Sequence, residues 1–137
     1  MDPERCRGAF AMSIDPVLAE LRNIYECDDA GRHLTKADVQ RWSSVLGVSV
    51  AVLADEIAAS LVRGFHHRTL SFEFCDGIVN HLFGVLLDEH GELPTLFWRT
   101  YLAFDAGEWV RPEKPDEDPV EAYTRLLVAE IIAELPA

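Results

Sequence analysis

Two acids set among apolar residues, Asp76 and Asp105, are the positions in this 137-residue chain that most call for a chemical explanation. Asp76 falls inside the apolar arc of FEFCDGIVNHLFGVLL, and Asn80 follows one helical turn later, on the same face. Burying an unpaired carboxylate is costly. Asp76 must therefore be ion-paired, hydrogen-bonded, protonated or turned toward a cavity. Arg99, on the neighbouring helix, is the expected partner, with Arg63 and Arg68 as alternatives. Asp105 lies near a helix C-terminus, where the dipole disfavours an acid, with Trp98 and Tyr101 beside it on the wheel. If the two acids converge, they could hold a cation or act as an acid–base pair. Otherwise Asp105 caps a neighbouring helix.

The remaining chemistry is weaker. Asp88, His90 and Glu92 alternate around a helix end and are candidate metal ligands; Cys75 and His81 stand six apart, and His66-His67 is a bare pair. None has the spacing that aims several ligands at one point, so a solvated helix end and surface histidines are expected. A calcium loop centred on Gly31 fails, because Ala30 and Ala37 fall where oxygen ligands are needed, although Glu26 and Asp28 suit the first and third positions. There is no Gly-x-Ser-x-Gly, no cysteine in a recognisable motif with a histidine, and no phosphate-binding glycine loop. No cofactor is expected.

The elements that must position these residues centre on the stretch from Ser71 to Trp109, which holds five of the seven Phe and two of the three Trp. It reads as two helices joined by Gly91-Glu92-Leu93-Pro94. The first is apolar over well over half its surface, Phe83 included, and so belongs at the centre of a domain. Gly77 and Gly84, a heptad apart, would admit a close neighbouring helix. Before this hairpin, Asp15-Pro16 opens a helix that ends near Cys27 at Asp28-Asp29-Ala30-Gly31. Thr35 and Asp38 form a capping box for a helix stopping at Gly47. Ser49 caps the next, which runs to about Arg63 before Gly64 interrupts it. After it, Val110 to Asp118 is a charged, Pro-rich connector, and Asp118-Pro119-Val120-Glu121 reads as a full capping box for an amphipathic last helix. No stretch alternates as a strand does. The expectation is an all-α, single-domain bundle of about six helices with a central helical hairpin, spanning 13–137 and preceded by a poorly ordered arm, 1–12, with Met12 as an alternative start.

The net charge of −12 disfavours nucleic acid and anionic membrane surfaces as partners. With no signal-peptide core and no apolar run long enough to span a bilayer, the expected location is the cytoplasm. Cys6, Cys27 and Cys75, odd in number and widely spaced, suit free thiols there. The two helices joined by Leu46-Gly47-Val48-Ser49 resemble the helix-turn-helix of bacterial regulators over about 25 residues, with small Ser43 four residues before the glycine. The second helix departs from that pattern: Val50, Ala51, Val52 and Ala54 offer no base-reading donor, and Asp55 and Glu56 would face phosphate. These features point to a non-enzymatic acidic module that binds another, basic, protein. Size, charge and the lack of a catalytic motif suit a bacterial immunity or antitoxin-like protein that masks the basic site of a toxic nuclease, or an adaptor. The alternative is a small helical enzyme or ligand-binding protein with a pocket around Asp76, Asn80 and Asp105.

Overall fold

The computed structural model describes residues 13–26, 31–90 and 93–136. The expected arm, the 28–30 helix stop and the 91–92 turn lie outside them. The described residues form six helices and no strand. They are α1 (Asp15–Glu26), α2 (Lys36–Leu46), α3 (Val50–His66), α4 (Phe72–His90), α5 (Thr95–Asp105) and α6, a π-helical turn Val120–Thr124 that runs into the α-helix Arg125–Glu134. Helix α3 packs against α2, α4, α5 and α6, while α1 covers α4 and α6 closes the bundle against α5. No single described helix is long and apolar enough to cross a membrane.

The start and stop signals of α2 and α3 act as expected. Thr35 and Asp38 cap each other reciprocally, Asp38 N–H donating to Thr35 Oγ1 at 3.2 Å and Thr35 N–H to Asp38 Oδ2 at 2.9 Å. Gly47 takes the left-handed conformation, φ 70°, that a β-carbon disfavours. Ser49 Oγ then accepts from Val52 N–H at 3.1 Å. The corner turns the chain by 96°, as a helix-turn-helix does, and one face of the second helix packs into the core. Leu53, Ala54, Ile57, Ala58, Leu61, Val62 and Phe65 are all buried. The α4–α5 hairpin therefore shares the centre of the bundle with α3.

Three local expectations change. Gly64 does not break α3, which continues to His66. Instead Leu70 folds back onto it, so closely that a β-carbon at 64 would overlap the leucine side chain. Asp118 accepts from Val120 N–H at 3.0 Å, but no capping box with Glu121 forms, because Glu121 is drawn to Arg125 and Arg68. In α4 the fully buried residues are Cys75, Ile78, Val79, Leu82 and Leu86; Phe83 is half-buried and Leu87 is exposed.

Helix α5 begins at a proline with no local side-chain cap. Asp55 supplies one from α3, its Oδ1 accepting from Phe97 N–H at 2.8 Å. A carboxylate at a helix N-terminus satisfies an orphan donor and meets the positive end of the dipole. Asp55→Ala is expected to cost about 1 kcal/mol, the usual loss for a removed cap. Urea denaturation checks this, and an unchanged midpoint would show that the cap contributes nothing.

Candidate binding face

Helix periodicity places two side-chain stripes next to each other on the α4–α5 hairpin. On α4 residues three and four apart share a side, which gives Asp76, Asn80, Phe83 and Leu87. On α5 the same rule gives Trp98, Tyr101 and Asp105, with Leu102 at the edge. The two helices run in opposite directions, so the apolar end of one stripe meets the apolar end of the other. Phe83 stacks on Tyr101 with ring centroids 4.4 Å apart and planes 14° apart. Trp98 stacks on Tyr101 at 5.6 Å and 11°. This tier is open to solvent, for Trp98 is 39% exposed, Leu102 43% and Leu87 45%.

The acids meet at the other end. Asp76 and Asp105 lie near enough for their charges to interact, and Glu108 joins them from the turn after α5. Asn80 ties the group together: its Nδ2 donates to the Asp76 carbonyl at 2.8 Å and to Glu108 Oε2 at 2.8 Å. The Asp76 and Glu108 carboxyls lie within hydrogen-bonding range of each other. Two carboxyl groups can hydrogen-bond only with a proton between them. Asp76 Oδ1 is enclosed and accepts no hydrogen bond from an N–H or O–H donor among the described residues. Burial, then the hydrogen bond and charge of Glu108, and lastly the charge of Asp105 push the Asp76 carboxyl up to about 8, with Asn80 pulling the other way. Burial, followed by the charges of Asp105, Glu108 and Asp76, raises the Tyr101 phenol too, which sets that ring between the aromatic tier and the acids.

Close packing brings Glu108 to this point. Gly107 N–H donates to the Phe104 carbonyl at 3.0 Å and Glu108 N–H to that of Asp105 at 3.1 Å, which extends α5 by a tight turn. Gly107 lies against Thr124 and Phe72 with no room for a β-carbon. Arg111 then staples the turn. Its Nη1 donates to the carbonyls of Ala106 at 2.6 Å and Trp109 at 3.0 Å. Its guanidinium lies between the rings of Trp109, at 4.0 Å, and Tyr123, at 3.8 Å.

Asp76, Asn80 and Asp105 are thus brought together, while the expected arginine partner is absent. Arg99 lies on the α6 side of α5 and pairs with Glu134 at 2.7 Å. Arg63 donates to the Pro136 carbonyl at 3.1 Å, and Arg68 is 3.8 Å from Glu121. Glu108 was missed because it belongs to the turn, although its place three residues after Asp105 was a usable signal. Of the metal candidates, Asp88 is held by Lys36 at 3.1 Å, whereas the His90 side chain and Glu92 lie outside the described residues. Among the described residues no group of three or more His, Cys, Asp or Glu side chains could hold a metal ion.

Other reactive groups lie elsewhere. Cys75 is buried, 3.7 Å from the Leu61 carbonyl, and burial, then the charge of Asp76, pushes its thiol up to about 12, which leaves it a poor nucleophile. His81 occupies the α1 side of α4, 2.7 Å from Tyr25 Oη and stacked on His33 at 4.3 Å. Gly77 does face a neighbouring helix, through Tyr25 at 3.5 Å, but Gly84 faces open space and lines a shallow groove of about 410 Å³ beside His33 and His81. That groove and two smaller hollows, of about 230 and 170 Å³, are lined by none of Asp76, Asn80 and Asp105. No family model matches the chain, and no curated protein or solved structure does either.

Proposed function

We propose that this chain is a non-enzymatic, acidic helical module that binds a basic, amphipathic segment of another protein on the α4–α5 face. One observation carries the reading: an open aromatic tier, Phe83, Tyr101 and Trp98, runs directly into three carboxyl groups, Asp76, Asp105 and Glu108. Partly exposed aromatic rings beside carboxyl groups without a basic partner are the composition of an interaction patch, with rings as anchors and carboxylates selecting a cationic partner. The net charge of −12 adds long-range attraction for a basic partner. Immunity, antitoxin and adaptor roles are all of this kind. The face of α3 left exposed, Ala51, Val52 and Glu56, argues against the helix-turn-helix reading, since it offers no base-reading donor and turns a carboxylate toward phosphate. The enzymatic alternative rests on the same Asp76, but it calls for a concave site, and none of the three hollows described above is lined by these acids.

A peptide array tests the proposal. Sequences that alternate Leu or Trp with Arg or Lys are expected to retain the protein, and acidic or neutral counterparts are not. Retention should weaken steeply as salt rises, chiefly through a slower on-rate. Trp98→Ala should lose about 2 kcal/mol of binding, chiefly as faster dissociation. Retention that ignores both salt and Trp98→Ala would rule this face out as the binding surface.

A further inference from the structure

Resting on that reading, we propose that the partner's contact residue is an arginine, laid along the Tyr101 ring into the Asp76–Asp105–Glu108 cluster, and that its arrival expels the proton held between Asp76 and Glu108. Charge pairing within the protein motivates the first half. Glu20 and Asp38 pair with Arg41, Asp88 and Glu89 with Lys36, Glu121 with Arg125, and Glu134 with Arg99. Asp76, Asp105 and Glu108 appear in none of the ion pairs among the described residues, although they are the acids gathered against one another. Among the described residues, the groups that face Asp76 are Cys75 and Asn80 on α4, Tyr101 and Asp105 on α5, and Glu108 in the turn. The nearby cations are turned away: Arg22 lies over Phe74 on the α1 side, Arg99 is held by Glu134, and Arg111 is clasped by two rings.

An arginine suits this place better than a lysine. Its planar guanidinium stacks on an aromatic face and presents parallel N–H donors to carboxylates, which a lysine ammonium cannot do together. The protein uses the same contact internally, with Arg125 3.9 Å from the Phe65 ring. The proton follows from charge balance. In the free protein a proton between Asp76 and Glu108 relieves the repulsion of two close carboxylates. A guanidinium supplies the positive charge in its place, so the Asp76 carboxyl ionises and one proton passes to solvent. Because proton and arginine compete for one place, affinity should rise with pH by up to tenfold per unit, on the order of the limit for one linked proton, and level off once Asp76 is ionised.

The probe is an acetylated, amidated peptide that alternates leucine with arginine, compared with its lysine and citrulline analogues. Calorimetry of the full chain at pH 7, in phosphate and in Tris buffers, reads proton release from the difference in heat. Close to one proton per complex is expected for the arginine peptide, falling toward zero above pH 9, with weaker binding by lysine and loss of binding with the uncharged citrulline peptide. Asp76→Asn should abolish the release and flatten the pH dependence of affinity. Binding that Trp98→Ala and Glu108→Gln both weaken, yet that releases no proton at pH 7, overturns the proton exchange and leaves the face intact. Binding that neither variant weakens overturns the face itself. If the lysine or citrulline peptide binds as well as the arginine one, or the arginine peptide does not bind, arginine is not the contact. A carbon NMR titration of the free protein gives a ligand-independent check: an Asp76 carboxyl that titrates entirely below pH 5 removes the shared proton.

Discussion

Gly107→Ala is expected to destabilise the protein by about 2–3 kcal/mol, the range for forcing extra volume into close-packed surroundings. A β-carbon at that position would overlap Thr124 Oγ1 and stand 2.9 Å from the Phe72 ring. Neither neighbour can yield easily. Thr124 is fully buried, branched at its β-carbon, and donates to the Ala103 carbonyl at 2.7 Å, while Phe72 packs on Phe104 with centroids 5.9 Å apart. The change should reach the acids as well, because Gly107 lies between Asp105 and Glu108 in the turn that presents them. Displacing Glu108 from Asn80 would let Asp76 titrate closer to its ordinary range. Gly84→Ala is the comparison, since its β-carbon would meet nothing within 4 Å. There the gain in helix propensity, up to about 1 kcal/mol, should leave stability equal or higher. Urea denaturation of both variants decides the matter. A Gly107→Ala protein as stable as the parent would show that the turn has slack and does not fix Glu108.

What the sequence reveals and what it conceals divide along the range of the interactions. Thr35, Gly47 and Ser49 act within four residues of themselves, and each signal is local, chemical and met in the structure. The all-helical class follows from apolar periodicity for the same reason. The Asp55 cap on α5 joins residues 42 apart, and nothing near Pro94 announces it. Gly64 reads as a break and proves to be a packing position, because the residue that demands it, Leu70, lies beyond the helix end. Phe83 reads as core by type, yet its stripe is the outer one, and only the crossing of α5 shows which side of so apolar a helix faces out.

The site was legible in its acids and illegible in its partners. Asp76, Asn80 and Asp105 could be singled out because charge inside an apolar pattern is costly wherever the helix packs. Which group resolves that cost is a tertiary question. Arg99 was the reasonable choice by proximity in sequence, but the orientation of α5 sends it to Glu134 and brings another acid to Asp76 instead. The aromatic tier was hidden for a related reason: Phe83 comes from one helix and Trp98 and Tyr101 from the other, so no single wheel displays it.

Asp76→Asn is expected to stabilise the protein at neutral and alkaline pH, where breaking an ion pair with arginine would have destabilised it. The sign follows from proton counting. The folded-state carboxyl is pushed up to about 8, above its unfolded value, by burial and then by Glu108 and Asp105. Between about pH 4 and pH 8 the folded state therefore holds more protons than the unfolded one, and stability falls as pH rises through that window. The contribution of Asp76 is thus most favourable below about pH 4 and is lost by about pH 8. Asparagine keeps the shape, stays neutral, and can donate to Glu108 in place of the shared proton. Asp76 is only partly buried, so solvent screens much of the effect, and a gain of about 1–2 kcal/mol near pH 8 is the discounted expectation. At pH 4 the two proteins should melt together. Thermal melts across this range provide the measurement, with the slope of stability against pH as the readout. A variant that melts lower than the parent at pH 8 would mean that Asp76 is ionised and paired after all, and the cluster would lose its claim to hold a proton.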